Sequence, residues 1–589
     1  MTWFFQPHPG GDASGQHDDD SAPGLTSLPA ALMQRHGARV LDPTTAALIP
    51  GFPAPRPTVY RARTLLIPDE LMDTEPVAGA LAGVGMKLVR TGQLSDPEND
   101  DRDKYGEVID ELRQLPRPRV LAPVDDNVPV VVDAWVALQA LRAAARPRPD
   151  RKRDGAKPGQ IIAEADIERI SLEHLLISSP PPPPITHGGG GLNGTTGGSG
   201  DGAPTSTSSY VYRGDTRTPV AVCAAAPPRE PVRTFRSRYG RRPVVAVLDT
   251  GVRAHPWLDV WKKPKGGGYQ TEPPGGDGFV VLDQDIQDAI AAQGDLLEKG
   301  DDRPRQVIRN AWDTHVSLDP LVGELDSDIG HGTFIAGIVR QVAPDARVLA
   351  IRVMHSDGVV YEGDLLCALE QLALRIALAE KGDPRQMVDV ISLSLGYFDE
   401  TPAEAAFSSG LWKAIKVLLG LGVVIVAAAG NYSSSRKFYP AAFAQPPDPA
   451  GPVPVVSVGA LNPNGSKAVF SDGGRWITAW AWGAAMVSTF PTDINGSRDA
   501  ELRLRAHPGN PMPPGVSLPA EREALDPDDY SAGFALWSGT SFSAPLVAAH
   551  IGRALVKEKT DKELGLNLAG SASAARRSLA ALRALGWDG

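Results

Sequence analysis

The sequence predicts an α/β fold built on a central, mostly parallel sheet, and three observations predict it. From about residue 241 onward, short β-branched apolar runs recur at regular intervals. Helical patterns lie between most of these runs. The texture upstream differs, with proline- and glycine-rich stretches around one smaller patterned region.

The strand candidates are Val244 to Leu248, Val348 to Val353, Val388 to Leu395, Val423 to Ala428 and Val455 to Val458. Each is continuously apolar rather than alternating, the pattern of strands covered on both faces. Parallel neighbours need long crossovers, and Glu362 to Ala379 and Ala403 to Leu419 supply helical ones. In such sheets, functional residues collect beyond the carboxyl ends of the strands.

Upstream, residues 1–56 are rich in Pro, Gly and Asp, including Asp18-Asp19-Asp20, and read as mostly disordered. Residues 57–145 read as a small α/β domain. Its expected elements are a strand at Thr64 to Ile67, a helix at Glu75 to Leu88, a strand at Val128 to Val132 and a helix at Asp133 to Ala144. Residues 146–240 read as a linker. It holds a basic stretch (Arg146 to Lys157), a short helical pattern (Ala163 to Leu176), the stiff run Pro180 to Pro184 and the flexible run Gly188 to Gly191. Residues 241–589 form the larger patterned domain.

The formal charge is 59 − 70 = −11, which argues against a nucleic-acid partner. Two cysteines, Cys223 and Cys367, give no disulfide framework. Cys367 lies in an apolar run and reads as a buried, inert thiol. The N-terminus has neither a basic start nor an apolar run of signal length. The longest apolar stretch, Val417 to Gly430, is shorter than the ~18 residues a membrane span needs. The expectation is a soluble, cytoplasmic protein, with export by another route left open.

Four positions carry chemistry. Asp249 follows its strand directly in Asp249-Thr250-Gly251. A carboxylate at a buried strand end must be paired or hydrogen-bonded, and alone it reads as a turn aspartate. His331 opens Gly330-His331-Gly332-Thr333, whose small residues suit a tightly packed helix start. Ser541 lies in Ser538-Gly539-Thr540-Ser541-Phe542-Ser543-Ala544-Pro545, just before a helical pattern. A serine there is either a cap or a nucleophile beside backbone N–H groups suited to an oxyanion. Pro545 fits the first helical turn, and Ser543-Ala544 excludes a Gly-x-Ser-x-Gly elbow. Asn431 ends a strand in Ala428-Ala429-Gly430-Asn431, as a turn former or an amide donor.

Together these boxes resemble the subtilisin-like serine proteases, the subtilases, in type and in the order Asp, His, Asn, Ser. The resemblance spans roughly residues 243–556. It implies a subtilisin-like three-layer fold and a serine endopeptidase acting through an acyl-enzyme. Ser541 would be the nucleophile, His331 its base, Asp249 the partner of His331, and Asn431 an oxyanion donor. Ser394-Leu395-Gly396 resembles the strand that pairs with the substrate beside the S1 pocket, and Gly358-Val359 resembles the opposite edge. Phe438 falls where glycine often forms the base of S1, which implies a shallow pocket for small P1 residues. A peptide or protein is the expected partner. No cofactor is required for the chemistry. Structural calcium is common in the family, but no oxygen-ligand loop stands out here.

The chain departs from compact subtilases in places. Asp249 and His331 are 82 positions apart, and the extra segment reads as a surface elaboration with a helix near Asp283 to Leu297. Trp482-Gly483 replaces the usual Pro-Gly, and a Pro-rich insert runs from Pro491 to Leu536. Residues 57–145 fit a propeptide that is cleaved off or a retained regulatory module. A maturation protease for one dedicated partner is a further expectation, and an inert binding module of the same fold is the alternative.

Overall fold

The computed structural model describes residues 3–6, 28–49, 52, 54–90, 101–145, 162–178, 217–222, 224–262, 278–298, 305–314, 325–401, 405–446, 451–494, 529–557 and 565–587. The Pro180–Pro184 and Gly188–Gly191 tracts, Cys223, and most of the insert after Pro491 lie outside these residues.

A nine-stranded sheet forms the centre. Its order is Trp3–Phe5, Ala479–Trp482, Val455–Leu461, Val424–Ala428, Val390–Leu393, Val244–Asp249, Arg347–Arg352, Val280–Leu282, Val260–Lys262. All neighbours pair in parallel except Trp3–Phe5, which is antiparallel to Ala479–Trp482. All five predicted strands are present, and their side chains are buried on both faces. Helices His331–Val342, Glu362–Glu380, Gly410–Gly420 and Thr540–Lys557 cover the sheet. Ser409 caps the third by accepting a hydrogen bond from the Trp412 N–H, so this helix starts later than its pattern suggested.

The smaller unit is an antiparallel sheet built around the long strand Thr58–Ile67. Ala38–Leu41, Arg117–Pro123 and Ser171–Ser178 all pair with it antiparallel. The helix Ala134–Ala145 packs Trp135, Leu138 and Leu141 into a separate apolar cluster with Leu65, Ile67, Leu121 and Leu172. The unit has a strand at Arg117–Pro123 and none at Val128 to Val132, which is unpaired among the described residues and largely exposed. The predicted helix Glu75 to Leu88 stops at Ala82, and Met86–Leu88 turns back as a strand. Gly85, at φ 77°, makes that reversal.

Two expectations fail in ways that matter. The composition of residues 1–56 predicts disorder, yet Trp3–Phe5 closes one edge of the central sheet, and Ala30–Arg35 and Ala38–Leu41 are ordered. Trp3 lies 5.3 Å, ring to ring, from His550 on the Thr540–Lys557 helix. Within the supposed linker, the helical pattern Ala163 to Leu176 yields only a short helix, Glu164–Ile167. Ser171–Ser178 is a β-strand. Its Leu, Glu and His residues have fair helix propensity, but three strands claim its backbone, and pairing outweighs propensity.

Candidate active site

The Val244–Asp249 strand places Asp249 at its carboxyl end, facing the start of the His331–Val342 helix. His331 Nδ1 donates to Asp249 and lies 2.8 and 3.0 Å from its two carboxylate oxygens. Gly330, at φ 81°, adopts the left-handed turn that begins the helix. At Gly332 a Cβ would sit 2.1 Å from Gly251 O and 3.2 Å from Asp249 Oδ1. The small residues flanking His331 are therefore what let the two segments meet.

Ser541 is the second residue of the Thr540–Lys557 helix. Phe542, its neighbour, lies 5.2 Å ring to ring from His331, and Trp537 lies 5.4 Å away on an edge-on face. Ser394 Oγ donates to Ser541 O at 2.9 Å, joining the helix start to the strand end after Val390–Leu393. Thr540 donates both its N–H and its hydroxyl to Asn431 Oδ1, at 2.9 and 2.8 Å. With its oxygen so engaged, Asn431 presents its NH₂ as a donor beside the Ser541 helix start. The serine hydroxyl is buried and has no hydrogen-bond partner among the described residues.

Burial alone would depress the His331 imidazole. The charge and hydrogen bond of Asp249, with Asp328 and Asp313 behind them, outweigh it and raise its pKa above 6.5. The structure thus brings Asp249, His331, Asn431 and Ser541 into one neighbourhood.

Ser394, Leu395, Gly396, Gly358 and Val359 line one groove, and the groove is filled. Ser171–Ser178 lies in it as a middle strand, antiparallel to both walls. On one side Leu175, Leu176 and Ile177 pair with Tyr361, Val360 and Val359. On the other, Ile177 and Ser178 pair with Gly396 and Leu395. Ser178 N–H donates to Gly358 O at 2.7 Å. Phe438 is fully buried behind this wall, 5.1 Å ring to ring from Phe398, and a Cβ on Gly396 would meet its ring at 2.4 Å. With the strand in place, Asp249, His331 and Ser541 are only 1%, 2% and 2% exposed.

Polar contacts lock the strand to the larger unit. Glu173 reaches Arg305 at 3.3 Å, and Arg305 also donates to Asp364 at 2.8 Å. His174 bonds Glu362 through Nδ1 and Glu400 through Nε2, each at 2.7 Å. The His174 ring stacks on Tyr397 at 4.3 Å. Nearby, Arg117 grips Glu370 with two bonds of 2.6 and 2.7 Å. Nothing in sequence reasoning singled out Ser171–Ser178. Its one signal was the apolar run Leu175-Leu176-Ile177, which was absorbed into a helical pattern.

Residues 240–577, more than half of the chain, match the subtilase family. The chain belongs to that family. Among its relatives, Subtilisin-like protease 3 of Pseudogymnoascus destructans is 31% identical over 31% of this chain and 41% of its own length. The Thermophilic serine proteinase of Bacillus sp. (strain AK1) is 32% identical over 32% of this chain and 44% of its own. Subtilisin BL of Lederbergia lenta is 28% identical over 45% and 72% respectively. The chain thus spans under half the length of the first two relatives it matches.

Proposed function

We propose that the protein is a serine endopeptidase whose own strand, Ser171–Ser178, occupies the substrate groove and holds the enzyme inhibited. The observation that carries this reading is the Asp249–His331 pair, built at a strand end next to Ser541, beneath a groove filled by β-pairing.

In the proposed reaction, Ser541 Oγ attacks the scissile carbonyl as His331 Nε2 takes its proton. Asp249 holds the imidazole and stabilises its charged form. The Asn431 amide and the Ser541 backbone N–H receive the negative oxygen. His331 then returns the proton to the leaving amine, and water hydrolyses the acyl-enzyme.

Substrates bind in this reading as an added strand between Val359–Tyr361 and Leu395–Gly396, largely through backbone bonds. Phe438 behind the wall supports a preference for small P1 side chains. The N-terminal unit acts as a tethered inhibitor that presents a strand of the right direction and register. A protein recognised through that unit's place in the groove is a natural substrate class, in keeping with maturation of a dedicated partner.

The test is labelling with a fluorophosphonate probe, with and without Ser541→Ala, together with the chain length of both proteins. Labelling that depends on Ser541 supports the enzyme. Its absence, even after the strand is displaced, makes the protein an inert binding module. A shorter wild-type chain beside a full-length Ser541→Ala chain marks self-cleavage.

A further inference from the structure

We infer that Asp313 is a positioning residue for the Asp249–His331 pair: its buried carboxylate ties the turn after Asp249 to the turn that starts the His331 helix. This rests on the serine-protease reading above and adds to it a fourth side chain, one the sequence boxes do not contain.

The geometry is a small closed network. Asp313 Oδ2 accepts from the Gly330 N–H at 2.7 Å and from the Thr250 hydroxyl at 3.2 Å. The Thr250 hydroxyl in turn accepts from the Gly332 N–H at 3.0 Å. Both chain neighbours of His331, Gly330 and Gly332, therefore hang from the same carboxylate, one directly and one through Thr250. Thr250 is itself the neighbour of Asp249. The backbone reinforces the link, because a Cβ on Gly251 would lie 2.6 Å from Ala311 O and 2.8 Å from Asp313 N. Asp313 is wholly buried, and its Oδ1 is buried without a partner among the described residues.

Asp313 sits in the long segment between Asp249 and His331 that the sequence presented as surface elaboration. Residues 305–314 instead run under the site. Arg253 donates to Asp313 O and Arg352 to Trp312 O, each at 3.0 Å, which pins this segment from both sides.

The charged groups facing the carboxyl are Arg352, Arg253 and Asp249. Burial raises its pKa to about 7, with Asp249 adding to the rise while Arg352, the Gly330 N–H and Arg253 oppose it. When ionised, Asp313 joins Asp249 and Asp328 in favouring the protonated imidazole that forms at His331 during attack.

The test is steady-state hydrolysis of a fluorogenic peptide across pH by the full-length chain carrying Leu176→Asp, which displaces the groove strand, with fluorophosphonate labelling of wild type and of that chain as the control. Asp313→Asn keeps the shape and removes the charge. Its kcat is expected to fall roughly 10- to 100-fold with KM within about twofold, as for a misplaced catalytic pair. The acid limb of kcat against pH should move to lower pH, because His331 loses a supporting charge. A purely structural role would not move that limb. Thr250→Val should reproduce the kcat loss and Thr250→Ser should restore it, and this pair decides the matter if Asp313→Asn does not fold. A chain that labels while kcat and the acid limb stay unchanged in Asp313→Asn, or an unchanged kcat in Thr250→Val, overturns the inference. A chain that never labels, even after Leu176→Asp displaces the groove strand, instead overturns the protease reading.

Discussion

His174 Nε2 lies 2.7 Å from Glu400 Oε2, joining the strand in the groove to the larger unit through a buried, ionisable contact. Glu362 bonds the opposite ring nitrogen. Burial opposes a charged imidazole here, but Glu400 and Glu362 override it and hold the His174 pKa well above 6.5. Glu400 is held below the ordinary carboxylate value, because His174 and Arg142 outweigh its burial.

The signs set a pH window for docking. The His174 contribution is complete below its unfolded pKa and is lost as pH rises through its raised value. The Glu400 contribution is present above its own unfolded value and is lost as pH falls through its lowered one. The strand is therefore held most tightly from mildly acid pH up to the raised His174 value, and alkaline pH loosens it. His174→Ala leaves buried carboxylates without their partner and should weaken docking by about 3 kcal/mol, on the order of a hundredfold. Peptide hydrolysis by the full chain should rise with pH in wild type and start high in the variant. Equal rates for the two at pH 6 would refute the latch.

Leu176 is fully buried in the groove opposite Val360. Leu176→Asp forces a carboxylate into that apolar contact and should eject the strand. Fluorophosphonate labelling should become at least about tenfold faster, matching a loss of ~1.5–3 kcal/mol for one buried aliphatic side chain. Unchanged labelling would show that the strand does not gate Ser541.

Gly332→Ala places a methyl 2.1 Å from Gly251 O. Backbone cannot yield as a flexible side chain can, so the His331 helix start must shift away from Asp249. We expect kcat to drop by about 100-fold while KM changes little, the loss typical of a shift near 1 Å at a reacting group. Circular dichroism should remain native.

Asn431→Ala removes the amide donor beside the Ser541 helix start and frees the Thr540 hydroxyl. The expected loss in kcat is about 10²–10³-fold, a magnitude taken from the asparagine donor of subtilisin. Stopped-flow or steady-state rates on one peptide would measure it, and a loss under threefold would remove Asn431 from the oxyanion site.

His331 works as a base only when neutral, and its pKa is raised above 6.5. Activity of the uninhibited Leu176→Asp protein should therefore fall as pH drops, with an inflection above 6.5. An inflection below 6 would contradict the paired geometry.

Much of this was legible in the sequence for a physical reason. A buried parallel strand needs a continuous apolar run, so Val244–Asp249 and Val424–Ala428 declared themselves by composition alone. Asp249, His331, Asn431 and Ser541 each sit where a strand ends or a helix begins, within small residues that close packing requires. Those are local demands, and local sequence states them.

The remainder was decided by partners distant in the chain. Ser171–Ser178 became a strand because Thr58–Ile67, Val359–Tyr361 and Leu395–Gly396 offered it unpaired edges. Trp3–Phe5 became ordered because the central sheet ended in an open edge at Ala479–Trp482. Asp313 came to His331 because the intervening segment folds back against the turns that carry Asp249 and His331. Backbone pairing and burial across hundreds of residues leave little trace in the local sequence, so the family was readable while the strand that fills the groove was not.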